Sequence, residues 1–273
     1  MRYPLIAVLL VPFLVAGRCA SDRLTAEEAK EAVDEAALST QALALTGETV
    51  EITTSFTIGE ALETAAEEIS EVILDSLPCA DISLDGARLT VVYGALPGNC
   101  ETHGKTLSGT HIIEVASTAP GELTVNHEWD ELSDGTLSVS GTATVTWSSA
   151  NVSRTVKHQL SWIRLSDNAT FTGSGNRVQT PLAGGVEEGI EVNGVRNWTA
   201  DSGEWDLDID GVEMRWEDPV PQAGSYTLDT PYDKTLTLTF TRRDSDTIAV
   251  DVDAGKQSVT VLVSKSGEIT TEN

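Results

Sequence analysis

From Leu137 to Trp147 the chain alternates strictly. Leu137, Val139, Gly141, Ala143, Val145 and Trp147 take every second position, with Thr136, Ser138, Ser140, Thr142, Thr144 and Thr146 between them. Successive strand side chains point to opposite faces, so this pattern gives one apolar face and one hydroxyl-lined face. A helix, with its period of 3.6, cannot separate the two sets. The alternation returns at Leu236, Leu238 and Phe240, at Ile248, Val250 and Val252, and at Val259, Val261 and Val263. Turn dipeptides stand at Asp85-Gly86, Asp134-Gly135, Gly184-Gly185, Asn193-Gly194, Asp210-Gly211 and Ala254-Gly255. Beyond residue 86 this amounts to roughly 11 to 13 strands at hairpin spacing. No helical pattern of useful length interrupts them, which argues against parallel βαβ units. The expected fold is mostly β (α+β): a long antiparallel meander with one or two N-terminal helices. Periodicity fits a curved sheet, a sandwich and an open barrel equally.

The helical signals lie before the meander. Thr25 and Glu28 form a capping-box pattern that opens an Ala- and Glu-rich stretch, and a helical spacer is expected over 19–47. Its mostly alanine face offers little to bury. Residues 48–57 read as a short strand. Thr57 and Glu60 repeat the capping box, and Ile58, Leu62, Ala65, Ile69, Ile73 and Leu77 keep spacings of three and four. That predicts a packed helix over 59–76, ended by Pro78. One β domain would then cover 48–273. A break near 217–226 would set off 222–273 as a C-terminal sub-unit.

Residues 1–18 read as a signal peptide: Arg2, an apolar run from Leu5 to Ala16, then small residues. The run is about 12 residues, short of a membrane span. Two processing routes fit. Val15 and Gly17 suit ordinary cleavage at −3 and −1. Alternatively, Leu14-Val15-Ala16-Gly17-Arg18-Cys19 resembles a bacterial lipobox, which would make Cys19 a lipidated N-terminus; Arg18, standing before the cysteine, departs from that pattern. The expectation is an exported chain, anchored in the envelope as an outer-membrane lipoprotein or secreted. The formal charge of −26 repels nucleic acid and anionic headgroups, so no nucleic-acid partner is expected, and membrane contact only through a lipid.

Three cysteines are present. An odd number in an exported chain is explained if Cys19 serves the N-terminus and Cys79 pairs with Cys100. A hairpin at Asp85-Gly86, with a return, would bring the pair together. Closing that loop contributes about 3 kcal/mol on the chain-entropy model.

The stretch from Pro78 to Val115, "PCADISLDGARLTVVYGALPGNCETHGKTLSGTHIIEV", resembles a set of uncharacterised bacterial envelope lipoproteins. In these a Cys precedes a strand, a turn and a strand ending in Gly, then a second Cys. The likeness runs on loosely through "VSGTATVTW", "NATFTGSGNRVQT" and "VRNWTADSGEWDLDIDGVEM", about residues 78–216. It implies an exported, often lipid-anchored β protein and carries no catalytic residues.

Candidate chemistry is sparse. In "DLDIDGVEMRWE", Asp206, Asp208, Asp210 and Gly211 match the first half of a calcium loop, and Glu217 takes its twelfth place. Glu213 occupies a place that wants an aliphatic residue, and no flanking helices are expected. A hairpin turning at Asp210-Gly211 accounts for more, pairing Ile209 with Val212, Leu207 with Met214 and Trp205 with Trp216. Calcium is the one cofactor the sequence admits. His103, His111, His127 and His158 lack metal-ligand spacing. His111 and His127 could face each other across neighbouring strands, although solvated strand histidines are the commoner case. "GSGNRV", 173–178, reads as a turn. Trp147, Trp162, Trp198, Trp205 and Trp216 read as core or rim anchors, with an exposed sugar-binding stripe as the alternative.

The expected role is a non-enzymatic structural or interaction module of the cell envelope, with a partner protein or small ligand unnamed. The alternatives are a carrier of a lipid or small ligand on the concave side of a curved sheet, and a carbohydrate-active enzyme.

Overall fold

The computed structural model describes residues 42, 45–46, 69–71, 73–75, 77–96, 100–102, 105–119, 122–148, 152–215, 217–255 and 258–271. The signal peptide, Cys19, the strand at 48–57 and most of both expected helices lie outside these. Residues 42, 45, 46, 69–71 and 73–75 are helical. Among the described residues sixteen strands follow: β1 (Asp81–Asp85), β2 (Arg88–Tyr93), β3 (Glu101–Thr102), β4 (Lys105–Thr106), β5 (Ser108–Ala119), β6 (Glu122–Ser133), β7 (Leu137–Ser148), β8 (Ser153–Arg164), β9 (Ala169–Leu182), β10 (Gly185–Ala200), β11 (Gly203–Arg215), β12 (Ala223–Thr230), β13 (Lys234–Arg242), β14 (Thr247–Asp253), β15 (Ser258–Ser264) and β16 (Ile269–Thr271). Fourteen make one antiparallel meander in chain order, open at β1 and β16, while β3 and β4 pair separately. The chain divides into two compact units, whose described residues lie in 41–176 and 177–273.

In the 41–176 unit the alternation of β7 becomes burial: Leu137, Val139, Ala143 and Val145 are buried while Thr142 is exposed. Burying one such aliphatic side chain stabilises by about 1.5–3 kcal/mol. Ile69, Ile73 and Leu77, on the helix face read from their spacing, are buried as well. The β6–β7 turn follows its residues: Asp134 Oδ1 accepts from the backbone N–H of Thr136 (2.9 Å) and Leu137 (3.0 Å). At the β1–β2 hairpin Asp85 pairs with Arg88, and Gly86 takes a φ of 60°. Cys79 and Cys100 form the expected disulfide, Cα–Cα 5.2 Å.

Three turn readings are corrected, two of them within the 177–273 unit. β11 runs unbroken through Asp210-Gly211 and pairs with β10 on one side and β12 on the other. The expected hairpin is therefore not formed: Trp205 faces Trp198, and Leu207 faces Arg196 and Leu228. Asn193-Gly194 likewise lies inside β10, and "GSGNRV" lies inside β9. The two Gly dipeptides of β10 and β11 share a physical reason. Asp-Gly and Asn-Gly supply a residue that tolerates positive φ, and a β-bulge uses it as well as a turn does. Gly211 has a φ of 55°. The β10–β11 register shifts between Val192 and Gly194, and the β11–β12 register between Asp210 and Glu213. Asn193 Oδ1 accepts the Gly211 N–H at 2.7 Å, so the two dipeptides meet at one irregularity. β12 presses on it: a Cβ on Gly224 would lie 2.2 Å from the Gly211 carbonyl oxygen.

Candidate functional site

The four calcium-reading carboxylates are not gathered. Asp206, Asp208 and Asp210 alternate along β11 on its exposed side, about 7 Å apart by strand rise. Glu217 lies beyond the strand and pairs with Lys265 Nζ at 2.8 Å. That contact holds its carboxyl below the usual range, first by the hydrogen bond and then by the charge. Among the described residues no group of three or more His, Cys, Asp or Glu side chains is placed to hold a metal. A calcium hand needs a coiled loop that turns its ligands inward; an extended strand with two hydrogen-bonded neighbours spaces them in a line instead.

The histidines differ from the commoner expectation. His111 and His127 are buried and meet: His111 Nε2 and His127 Nδ1 are 3.0 Å apart. The Tyr93 hydroxyl lies 3.3 Å from His111 Nδ1. The Trp129 ring stacks on both imidazoles, with centroids 5.2 and 5.6 Å away. One consistent arrangement has Tyr93 donating to His111 Nδ1 and His111 Nε2–H donating to His127 Nδ1. The row then ends at His127 Nε2, which is buried with no hydrogen-bond partner among the described residues. Burial pushes His127 down to about 3. It pushes His111 well below the usual imidazole range, and the neighbouring His127 adds to the effect. Burial also raises the Tyr93 hydroxyl. These are neutral rings at neutral pH, so they pack and order rather than exchange protons with solvent. The signal was in the alternation. His111 shares its face with Ile113 and Val115, His127 with Val125 and Trp129, and His158 with Val156 and Leu160, all buried. His103 lies outside the described residues.

The tryptophans are anchors. Trp162 stacks on Phe171 at 5.8 Å. Trp198 stacks on Trp205 at 6.0 Å, and Tyr232 meets Trp205 edge-on at 6.0 Å. All three are buried, and Trp147 is half-buried beneath the Arg154 guanidinium at 5.3 Å. No exposed stripe arises from these; Trp216 lies outside the described residues.

One feature went unread in the sequence. Arg196, on the inward side of β10, is only 8% exposed, and its guanidinium lies 5.1 Å from the Trp198 ring centroid. Its Nε is buried with no hydrogen-bond partner among the described residues. Burial, and secondarily the charge of Arg177, bring it down to about 10, with Tyr226 pulling the other way. Burial raises the Tyr226 hydroxyl, against the charges of Arg196 and Arg177. Elsewhere arginines meet acids: Arg242 pairs with Asp218, Arg215 with Glu188, Arg164 with Asp167 and Arg88 with Glu114. Arg196 could have been found by its parity, two residues before Trp198 and four after Val192.

No protein-family description, curated protein or solved structure matches this chain.

Proposed function

We propose that the chain is an exported cell-envelope protein that acts as a non-enzymatic interaction module, with the polar side of its meander as the working surface. The observation that carries this reading is the division of the long strands into two chemically opposed sides. Along β7, Ser138, Ser140, Thr142, Thr144 and Thr146 occupy the side opposite the buried residues, and Thr144 Oγ1 donates to Asn126 Oδ1 across to β6 at 2.9 Å. In the 177–273 unit, the exposed side of β11 carries Asp206, Asp208 and Asp210. A hydroxyl row in one unit and a carboxylate row in the other, in a chain of −26 formal charge, each suit a cationic or hydrogen-bonding partner. The disulfide supports an oxidising compartment, where such bonds persist. The N-terminal signal pattern supports export, by cleavage or by lipidation at Cys19. The neutral, buried histidine pair supports a structural rather than a catalytic use of those residues.

The test is intact mass of the protein from membrane and culture fractions of its native host, with and without reductant. Loss of the N-terminal segment, with a diacyl increment on Cys19 in the membrane fraction or a lipid-free chain in the medium, is expected. A full-length chain recovered only from the cytoplasm would sink the proposal.

A further inference from the structure

Three polar side chains form a row across three strands on the inward side of the 41–176 unit. Tyr93 lies on β2, His111 on β5 and His127 on β6, all buried. Two contacts join them: 3.3 Å from the Tyr93 hydroxyl to His111 Nδ1, and 3.0 Å from His111 Nε2 to His127 Nδ1. The row thus ties β2 to β5 and β5 to β6. With Tyr93 and His111 donating along it, no imidazole nitrogen keeps a free lone pair: two accept, and two carry hydrogens. A first added proton enters only by turning the row round. His127 Nδ1–H then donates to His111 Nε2, and His111 Nδ1–H to the Tyr93 oxygen. A second proton puts an N–H on both sides of the 3.0 Å contact, which is then lost.

The surroundings supply no charge to hold even the first cation. On β7, Ala143 stands opposite His127 and Gly141 opposite Trp129. The inward neighbours on β2 and β5 are Leu89, Val91, Ile113 and Val115. Across Ala143 the register places His158 of β8, a third imidazole and no counter-charge. Arg88, Glu114, Glu128 and Asp130 belong to the same strands but are exposed on the outward side. None of the described buried helical residues is ionisable. Removing a cation from water without an opposing charge is costly, so a protonated row favours opening.

The ladder is built to open there. β5 and β6 pair without interruption only from Thr110–Asp130 to Ala116–Thr124, with a register shift at each end. His111 and His127 both lie in that stretch. The Cys79–Cys100 disulfide joins the chain just before β1 to the chain between β2 and β5, so parted strands stay tethered and return.

We propose that the Tyr93–His111–His127 row is an acid-operated latch: proton uptake by the two imidazoles parts β5 from β6, exposes Ile113, Val125 and Trp129, and leaves β7 paired with β8. The latch belongs to the 41–176 unit and is independent of the route of export and of the partner that meets the polar side. Opening admits protons that the closed row excludes. The closed form is therefore favoured above the unfolded imidazole pKa of about 6.5 and loses ground as pH falls below it. The open population rises about tenfold per pH unit if one proton is taken up, and about a hundredfold if both are.

Amide exchange of the full chain, followed by NMR and corrected for the intrinsic rate at each pH, reads opening strand by strand. The window runs from about pH 6.5 to about pH 5, above the usual carboxylate range of about 4. Amides that bond across the β5–β6 ladder should open about tenfold to a hundredfold more per pH unit, and those of the β7–β8 ladder much less. The double variant His111→Gln, His127→Gln keeps polar side chains that take up no proton, and its β5–β6 rise should vanish. His158→Gln should leave the rise in place. If the double variant does not fold, His127→Gln alone should give a shallower rise than the native chain. A β5–β6 ladder insensitive to pH, a rise shared equally by β7–β8, or a rise undiminished in the folded His111 and His127 variants would overturn the latch.

Discussion

Residues 41–176 and residues 177–273 are built from the same long antiparallel strands but occupy their inward positions differently. The first unit places imidazoles there, joins them to Tyr93 and to one another, and stacks Trp129 over both. It also carries the disulfide. The second places an arginine against a tryptophan, stacks two tryptophans, and bends β10 and β11 through a bulge that Gly224 presses against. Both units bury polar groups, but a histidine can shed its charge at neutral pH and an arginine cannot. The first unit therefore tolerates its polar row as a neutral hydrogen-bonded chain, whereas the second keeps a buried cation stacked on the Trp198 ring.

The comparison can be broken most forcefully at the aromatic centre of the second unit. Trp205 is fully buried, and Trp205→Ala should cost about 3–5 kcal/mol, read by urea denaturation. Replacing Cys79 and Cys100 together with Ala should cost about 3 kcal/mol. Amide exchange should then rise in β2 and β5 while the 177–273 unit keeps its protection; equal loosening of both would show that they unfold as one. Gly224→Ala, with its φ of 86° and no room for a Cβ, should cost about 2–3 kcal/mol by the same denaturation assay. An unchanged midpoint would mean that the bulge yields readily.

Acid acts on the first unit through its buried imidazoles. The folded-state pKa of His127 lies at about 3, below its unfolded value, so the unfolded chain takes up the proton first. The contribution is fully present above the unfolded pKa of about 6.5 and is lost as pH falls toward 3. Stability should decline by about 1 kcal/mol per pH unit for His127 across that window. His127→Gln should flatten the slope of a pH series of denaturation midpoints, and an identical slope would remove the histidine from the account. The smallest effect is expected at Lys265, whose ion pair with Glu217 is exposed. Lys265→Met should leave the melting temperature unmoved, because solvent screens such pairs.

Much of this was legible beforehand. The alternation at 137–147 became β7, the last three alternating runs became β13, β14 and β15, and Asp134-Gly135 became a turn. Cys79 and Cys100 found each other because the hairpin at Asp85-Gly86 lies between them. Parity also placed His111, His127 and Arg196 on inward positions, although a histidine's burial was discounted and the arginine passed unread. Asp210-Gly211 and Asn193-Gly194 were misread, and with them the pairing of Trp205.

What the sequence determined by itself is whatever depends on neighbours along the chain: strand character, the two faces, the glycines of the Asp-Gly and Asn-Gly dipeptides and the turn at Asp134. Period and local hydrogen bonding act within a few residues, so they survive any tertiary arrangement. Tertiary structure decided the rest. Whether a glycine of positive φ ends a strand or bulges within it depends on whether strands on both sides continue the ladder, as β10 and β12 do beside Gly211. Whether an imidazole is charged, and whether a guanidinium meets an acid, depends on which side chains distant strands bring to it and how much water remains. Those are sums over three-dimensional neighbours, and no window along the chain contains them.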